Sequence, residues 1–404
     1  MHSQLLFGLQ VGLNMLRKIL VRLALVVMTG VLFMQGRQVA LRVEPQDFTA
    51  FWTAARLATE NPYSHEKVLS LDHTLGFQRQ TPFLMCNPPW TLPLVLPLRY
   101  FSYANAFAIW MLASIIVVAA GTLLLWRFYG GKISPAALLL AMAFAPVLSM
   151  LRVGQLTAWP FLGICLFLIN VERRRDWIAG ASLLLVLFKP HLFLPFLACL
   201  GCWILWSRRY RVLGGMAAAL GVASVLAMAV NHHIFSFYTE AMADFTKAEQ
   251  APTLSVLLQF FSGSVLLALA PVVATIAWAI YHWWNRRECW EWRAQLPVLL
   301  LASLVSSYYM LLYDEVVLLA ALVPVAVMGG RRFWILFATV NAACLAYLLG
   351  SPEWMPKAAT WSLSFWSASG WCVVYLLTSR PTSSWQPAVA AEYLCQPQSP
   401  ARKT

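Results

Sequence analysis

Charge is scarce in this sequence, and acid is scarcer still. Only 11% of the 404 residues are Asp, Glu, Lys or Arg, while 60% are hydrophobic; a soluble domain carries about 25% charged residues. That shortage excludes a chain solvated on all sides, and no stretch of useful domain size interrupts the apolar runs. Sixteen acids against 29 Lys and Arg leave a net charge of +13. The excess sits in short clusters between apolar spans, which is the positive-inside pattern and argues against nucleic acid as a partner. A Walker A pattern is missing, which argues against an ATP-driven pump. HExxH and close His/Cys spacings are missing too, so the sequence offers no metal-ligand set. His65, His73, His232 and His233 therefore take surface or interfacial places by default. Of the eight cysteines, only Cys86 falls in a predicted outer loop, where it has no disulfide partner. Cys199 and Cys202 form a CxxC inside an apolar run and read as packing.

What is present is one apolar segment after another long enough to cross a hydrocarbon layer of about 30 Å. Basic clusters at Arg17/Lys18/Arg22, Arg127/Lys132, Arg173–Arg175, Arg208/Arg209/Arg211, Arg286/Arg287, Arg331/Arg332 and Arg380 with the tail mark the cytoplasmic side. Between clusters the chain must go out and return. The expected fold is all-α and polytopic, with about twelve transmembrane helices and both termini cytoplasmic. The start, an apolar run to Met34, reads as an uncleaved signal anchor because no A-x-A-like site follows it. Residues 1–380 form one integral membrane domain with outer loops at 37–103 and 232–262, and 381–404 form a cytoplasmic tail expected to be disordered. Membrane lipids are the obvious partners. The cytoplasmic loops are short and basic, so chemistry is expected on the outer face.

Four outer positions carry chemistry-bearing residues. In the first loop, Phe48, Phe51, Trp52 and Ala55 fall at i, i+3, i+4 and i+7, the pattern of a short amphipathic helix lying in the interface. Pro45 and Asp47 stand at its start. Asp47 serves either as an N-cap, worth about 1 kcal/mol, or as a general base held beside the bilayer. Trp177 to Trp206 spans thirty residues, about 45 Å of helix, barely two crossings, with Lys189-Pro190-His191 at the break. Lys189 is either a snorkelled helix-end lysine or a functional intramembrane cation; with His191 it suits an interfacial phosphate. Arg152, on the same outer side, reads alone as an interface anchor and otherwise as a third phosphate contact. Tyr313-Asp314-Glu315 puts two carboxylates at another outer helix junction, where acids also serve as caps.

These pieces resemble glycosyltransferase family 87, membrane enzymes of GT-C type. The resemblance is carried by Asp47-Phe48 with Ala54-Ala55-Arg56 and Asn61-Pro62-Tyr63, and by Asn87-Pro88-Pro89 leading into Leu94-Val95-Leu96-Pro97-Leu98. Gly154-Gln155, Lys189-Pro190 and Tyr313-Asp314 follow in order, so that residues 20–330 are covered. Asn87 stands where the family often has Tyr, and Ala251-Pro252-Thr253-Leu254 replaces a longer Asn-Gln-Ser-type element; both departures bear on acceptor choice. The resemblance implies a GT-C-like bundle with amphipathic helices in its outer loops. It implies a polyprenyl-phosphate sugar as donor, mannose first, a glycolipid or glycan hydroxyl as acceptor, and no cofactor. The setting it implies is the outer face of a bacterial inner membrane. Carried over residue by residue, Asp47 is the catalytic base, Lys189, Arg152 and His191 bind the donor phosphate, and Arg56, Tyr63, Asn87, Gln155, Tyr313 and Asp314 bind substrate.

Other classes compete. A transporter or flippase for a lipid-linked sugar wants midplane charges and repeated halves, and the polar residues here concentrate in outer loops instead. A non-catalytic scaffold is compatible with Asp47 as a cap. A polymer ligase would use the second outer loop, where Tyr238, Met242 and Phe245 fall on neighbouring turns of a stretch that reads equally as a lipid-facing surface.

Overall fold

The computed structural model describes residues 26–42, 46–243, 253–350 and 366–379. The basic cluster at Arg17, Lys18 and Arg22, Pro45, Phe245, Ala251-Pro252, the loop 351–360 and the tail lie outside the described residues. Among the described residues every regular element is helical. Within the described residues five helices are long and apolar enough to cross a membrane: Tyr103–Phe128, Pro190–Ser207, Tyr210–Val230, Val265–Cys289 and Arg331–Leu349. A bent pair, Pro135–Ala143 with Ala145–Val153, makes a sixth. Ala158–Glu172, Asp176–Val186, Trp292–Val305 and Ser367–Thr378 are apolar but shorter. The sequence expectation of about twelve spans thus meets five or six helices of crossing length. Local breaks shorten several of the apolar segments.

Two of the three breaks have a local cause and a closing partner. The bend of 55° between Ala143 and Ala145 falls where Pro146 removes a backbone donor. Asn341, from a helix nearly 200 positions away, closes it: its side chain accepts from the Ala145 N–H at 2.7 Å and donates to the Ala143 carbonyl at 2.8 Å. At the second break, Asp176–Val186 ends and Pro190 starts a short 3-10 turn, Pro190–Phe193. Asn87 donates to the Phe188 carbonyl at 2.9 Å, and the Trp90 indole to the Leu187 carbonyl at 3.0 Å. The Asn-Pro-Pro-Trp segment therefore satisfies backbone that a membrane interior would otherwise leave unpaired. The third break separates Trp292–Val305 from a 3-10 turn, Leu312–Leu318, and the helix Leu319–Met328.

Two apolar cores result. One is built from the helices between residues 118 and 374. The other packs the segment 46–98 on the start of Tyr103–Phe128. The helix Gln46–Arg56 belongs to this second core, and here the structure corrects the expectation of a helix lying in the lipid interface. Its apolar stripe, Phe48, Phe51, Trp52 and Ala55, is buried, and so are Thr49 and Thr53 on the other side. The stripe meets protein aromatics: Phe48 sits 5.1 Å from Phe107, Phe51 5.8 Å from Trp110, and Trp52 5.5 Å from Tyr103, centroid to centroid. Thr49 shares a hydrogen bond of 2.8 Å with the Tyr103 hydroxyl. Amphipathic spacing says only that one face is apolar; the facing aromatics decide that protein, not lipid, covers it.

Gly154 explains why two motifs far apart in sequence belong together. It takes φ +71°, and a Cβ there would collide with the Cβ of Phe48 and lie 3.0 Å from Phe107. Its carbonyl accepts the Trp110 indole N–H at 2.8 Å. Gly154→Ala is expected to cost about 1–2 kcal/mol from the left-handed backbone alone, and more from displacing Phe48. A lowered melting temperature is the expected outcome; a wild-type melting curve would show that Phe48 can move without consequence.

Candidate active site

A partly open cavity of about 300 Å³ lies on the seam between the two cores. Asp47, Phe51, Met85, Asn87, Gln155, Lys189, His191, Tyr309 and Tyr313 are among the residues that line it. These residues come from five separate stretches. The cavity is where the Gln46 helix, the Asn87-Pro88-Pro89 segment, the Gly154-Gln155 turn and two of the breaks converge.

The breaks face each other through an ion pair. The Lys189 ammonium lies 2.6 Å from Asp314 Oδ1, with Asp314 fully buried and Lys189 only 5% exposed. The Thr157 hydroxyl donates to the same oxygen at 3.2 Å, and the Leu311 N–H donates to Oδ2 at 3.1 Å. Lys189 also stands 5.0 Å from the centre of the Tyr313 ring, a cation–π contact. The side-chain nitrogen His191 Nε2 is buried without a hydrogen-bond partner, and its ring is 6.1 Å from that of Tyr309. The Tyr309 phenol is pushed well above its ordinary pKa by burial first and by the negative charges of Asp314 and Asp47 next. It is a hydrogen-bond donor, not a base. Asp47, in the first turn of its helix, lies within electrostatic reach of both Tyr309 and Tyr313.

Not every candidate reaches the cavity. Asp314 stands behind Lys189 rather than on the lining and caps the start of its 3-10 turn at the Leu311 N–H, whereas Glu315 is buried and accepts from Ser367 and the Trp371 indole. Arg56 is exposed, donates to the Arg99 carbonyl at 2.8 Å and lies over the Trp52 ring at 5.2 Å. Arg152 is exposed and donates to the Leu348 carbonyl at 3.0 Å. Tyr63 is buried against Tyr238, ring centres 5.8 Å apart. Asn61 orders that turn by accepting from the Tyr63 N–H at 2.9 Å. Since Arg152 is bound at a helix end away from the lining, Arg152→Gln is expected to leave activity within a few-fold of wild type, and a tenfold loss in the folded variant would put the guanidinium in the site after all.

Three residues at the site have no motif to announce them. Thr157 reaches Asp314 across 157 positions, Tyr309 comes from the stretch between two helices, and Met242 enters the lining from the helix Ile234–Ala243. Met242 and Tyr238 lie on the stretch that reads from sequence as a possible lipid-facing surface; the structure turns Met242 to the cavity and Tyr238 to Tyr63. Among the described residues no group of three or more His, Cys, Asp or Glu is placed to hold a metal.

The far end of the bundle is different. The helix Tyr103–Phe128 starts beside Thr49 and ends about 39 Å away at 1.5 Å per residue. There the Tyr129 hydroxyl donates to the Arg293 carbonyl at 3.0 Å, and Arg209 pairs with Asp176 and donates to the Val171 carbonyl. Basic residues gather at this end, and the cavity sits at the other.

A helical bundle with membrane-length spans and a cavity at one end, lined in part by a carboxylate and an ammonium, defines an integral membrane protein with the makings of an enzyme site. The sequence model of glycosyltransferase family 87 matches residues 83–307, more than half of the chain. The chain belongs to that family and is a glycosyltransferase. Asn87, Gln155, Lys189 and His191 fall within the matched stretch, Asp47 precedes it, and Tyr309, Tyr313 and Asp314 follow it. No curated protein and no solved structure matches the chain.

Proposed function

We propose that this glycosyltransferase moves a sugar, mannose first among candidates, from a polyprenyl phosphate to a hydroxyl of a glycolipid or glycan. The reaction takes place at the outer face of a bacterial cytoplasmic membrane, in a single membrane domain spanning residues 1–380, with both termini cytoplasmic. The observation that carries this reading is the meeting of Asp47 and Lys189 on one cavity, a carboxylate and an ammonium brought together from distant parts of the chain. A glycosyl phosphate departs as an anion, so its leaving group needs a cation, whereas the attacking hydroxyl needs a base. Asp47 takes the acceptor proton and Lys189 meets the phosphate, on opposite faces of the sugar, which yields inversion in one displacement. Asn87, Gln155, Tyr309 and Tyr313 offer neutral hydrogen bonds to sugar hydroxyls, and His191 offers its unpartnered nitrogen. The prenyl chain lies between helices, held by apolar burial. The test is transfer by purified protein in liposomes, supplied with radiolabelled polyprenyl-phosphate sugars one at a time. Transfer from none of them, alongside transfer from a nucleotide sugar, would overturn the donor assignment.

A further inference from the structure

An ammonium that serves a departing phosphate poses a problem at the end of the reaction. The C1–O bond to the donor phosphate breaks and its electron pair goes to the phosphate oxygen. The acceptor oxygen bonds C1, and its proton goes to Asp47. The donor is a phosphodiester with one negative charge, while the lipid product is a phosphomonoester carrying roughly −1.5 to −2 at pH 7. The cation that binds the donor therefore binds the product harder, and turnover stalls on release.

The structure holds a counterweight. Lys189 is not a bare cation, since its ammonium already meets Asp314 at 2.6 Å. The carboxylate is anchored on both oxygens, by Thr157 on one and the Leu311 N–H on the other, and is fully buried. It cannot swing away when an anion arrives. An ammonium has three N–H donors, so one anchored to Asp314 still offers others to a ligand on the cavity side. The second negative charge of a product phosphate there meets a pair that is close to neutral. We propose that Asp314 is a positioning residue that tempers Lys189, so that the site accepts the monoanionic phosphodiester and sheds the dianionic lipid phosphate. This rests on the polyprenyl-phosphate donor proposed above.

The test compares farnesyl phosphate with its methyl ester as competitive inhibitors of donor use, a dianion against a monoanion of nearly the same shape. In the wild-type enzyme the methyl ester is expected to bind as tightly as the phosphate, or within a few-fold of it. In Asp314→Asn the phosphate is expected to gain about tenfold over the ester, the scale of one charge-assisted contact. The same variant loses kcat more than it raises donor KM, with a burst of first-turnover product. Asp314→Glu restores the wild-type ratio. A wild-type enzyme that prefers the dianion tenfold or more overturns the proposal, whether or not Asp314→Asn folds. So does an unchanged ratio in folded Asp314→Asn. If wild type transfers from no polyprenyl-phosphate sugar, the donor assignment fails and the inference falls with it; transfer with the wrong inhibitor ratio sinks the inference alone.

Discussion

Asp47→Asn is expected to keep its fold and lose about 10²–10⁴-fold in sugar transfer, the contribution of a positioned base. The helix begins at Gln46 and Asp47 lies in its first turn, where a carboxylate gains about 0.3–1 kcal/mol from the helix dipole. Losing that charge is a small cost for a helix whose Phe48, Phe51, Trp52 and Ala55 are all buried. Asn keeps the side-chain volume and the hydrogen-bonding carbonyl, so it fits the first turn without its charge. What it cannot do is accept the proton of an attacking hydroxyl. Structural and catalytic roles thus separate cleanly in this one substitution, whereas Asp47→Ala confounds them. The measurement is transfer by purified variant whose melting curve overlays wild type. Transfer within a few-fold of wild type would reduce Asp47 to a helix-start residue and remove the base from the mechanism.

Lys189→Met carries the second large effect, and it falls on fold and activity together. It leaves Asp314 fully buried with its cation gone, and breaking a buried pair by removing one partner costs about 3–5 kcal/mol. The double variant Lys189→Met/Asp314→Asn removes both charges and is expected to recover most of that stability. It is not expected to recover transfer, because the departing phosphate still lacks its cation. Melting temperature and donor kinetics measured on the single and double variants check both halves. A double variant that melts and transfers like wild type would make the ion pair a structural clamp alone.

The residues that the sequence marks as chemical divide sharply in the fold. Asp47, Asn87, Gln155, Lys189, His191 and Tyr313 share one cavity, whereas Arg56, Arg152 and Tyr63 serve packing or helix ends elsewhere. The difference lies in what surrounds each. Arg56 and Arg152 are long cations near a helix end, where a backbone carbonyl is always at hand, and the Arg99 and Leu348 carbonyls take them. Lys189 precedes a proline at a break deep in the chain, where the nearby carbonyls of Leu187 and Phe188 are already bound by Trp90 and Asn87. Its ammonium had to find a carboxylate, and it found one 125 positions away.

Composition and periodicity alone determined the helical class, the apolar character of the segments and the break at Lys189-Pro190-His191, because hydrophobic runs, prolines and basic clusters act through neighbouring residues. They could not decide how long each helix stays straight, or what covers an amphipathic stripe once it forms. Asn341 closing the bend at Ala145, Phe48 seated on Gly154, and Thr157 with Leu311 anchoring Asp314 are contacts between segments that share no local pattern. Only tertiary packing brings them together, since a buried polar group must be paired and its partner is whichever segment the packed chain delivers.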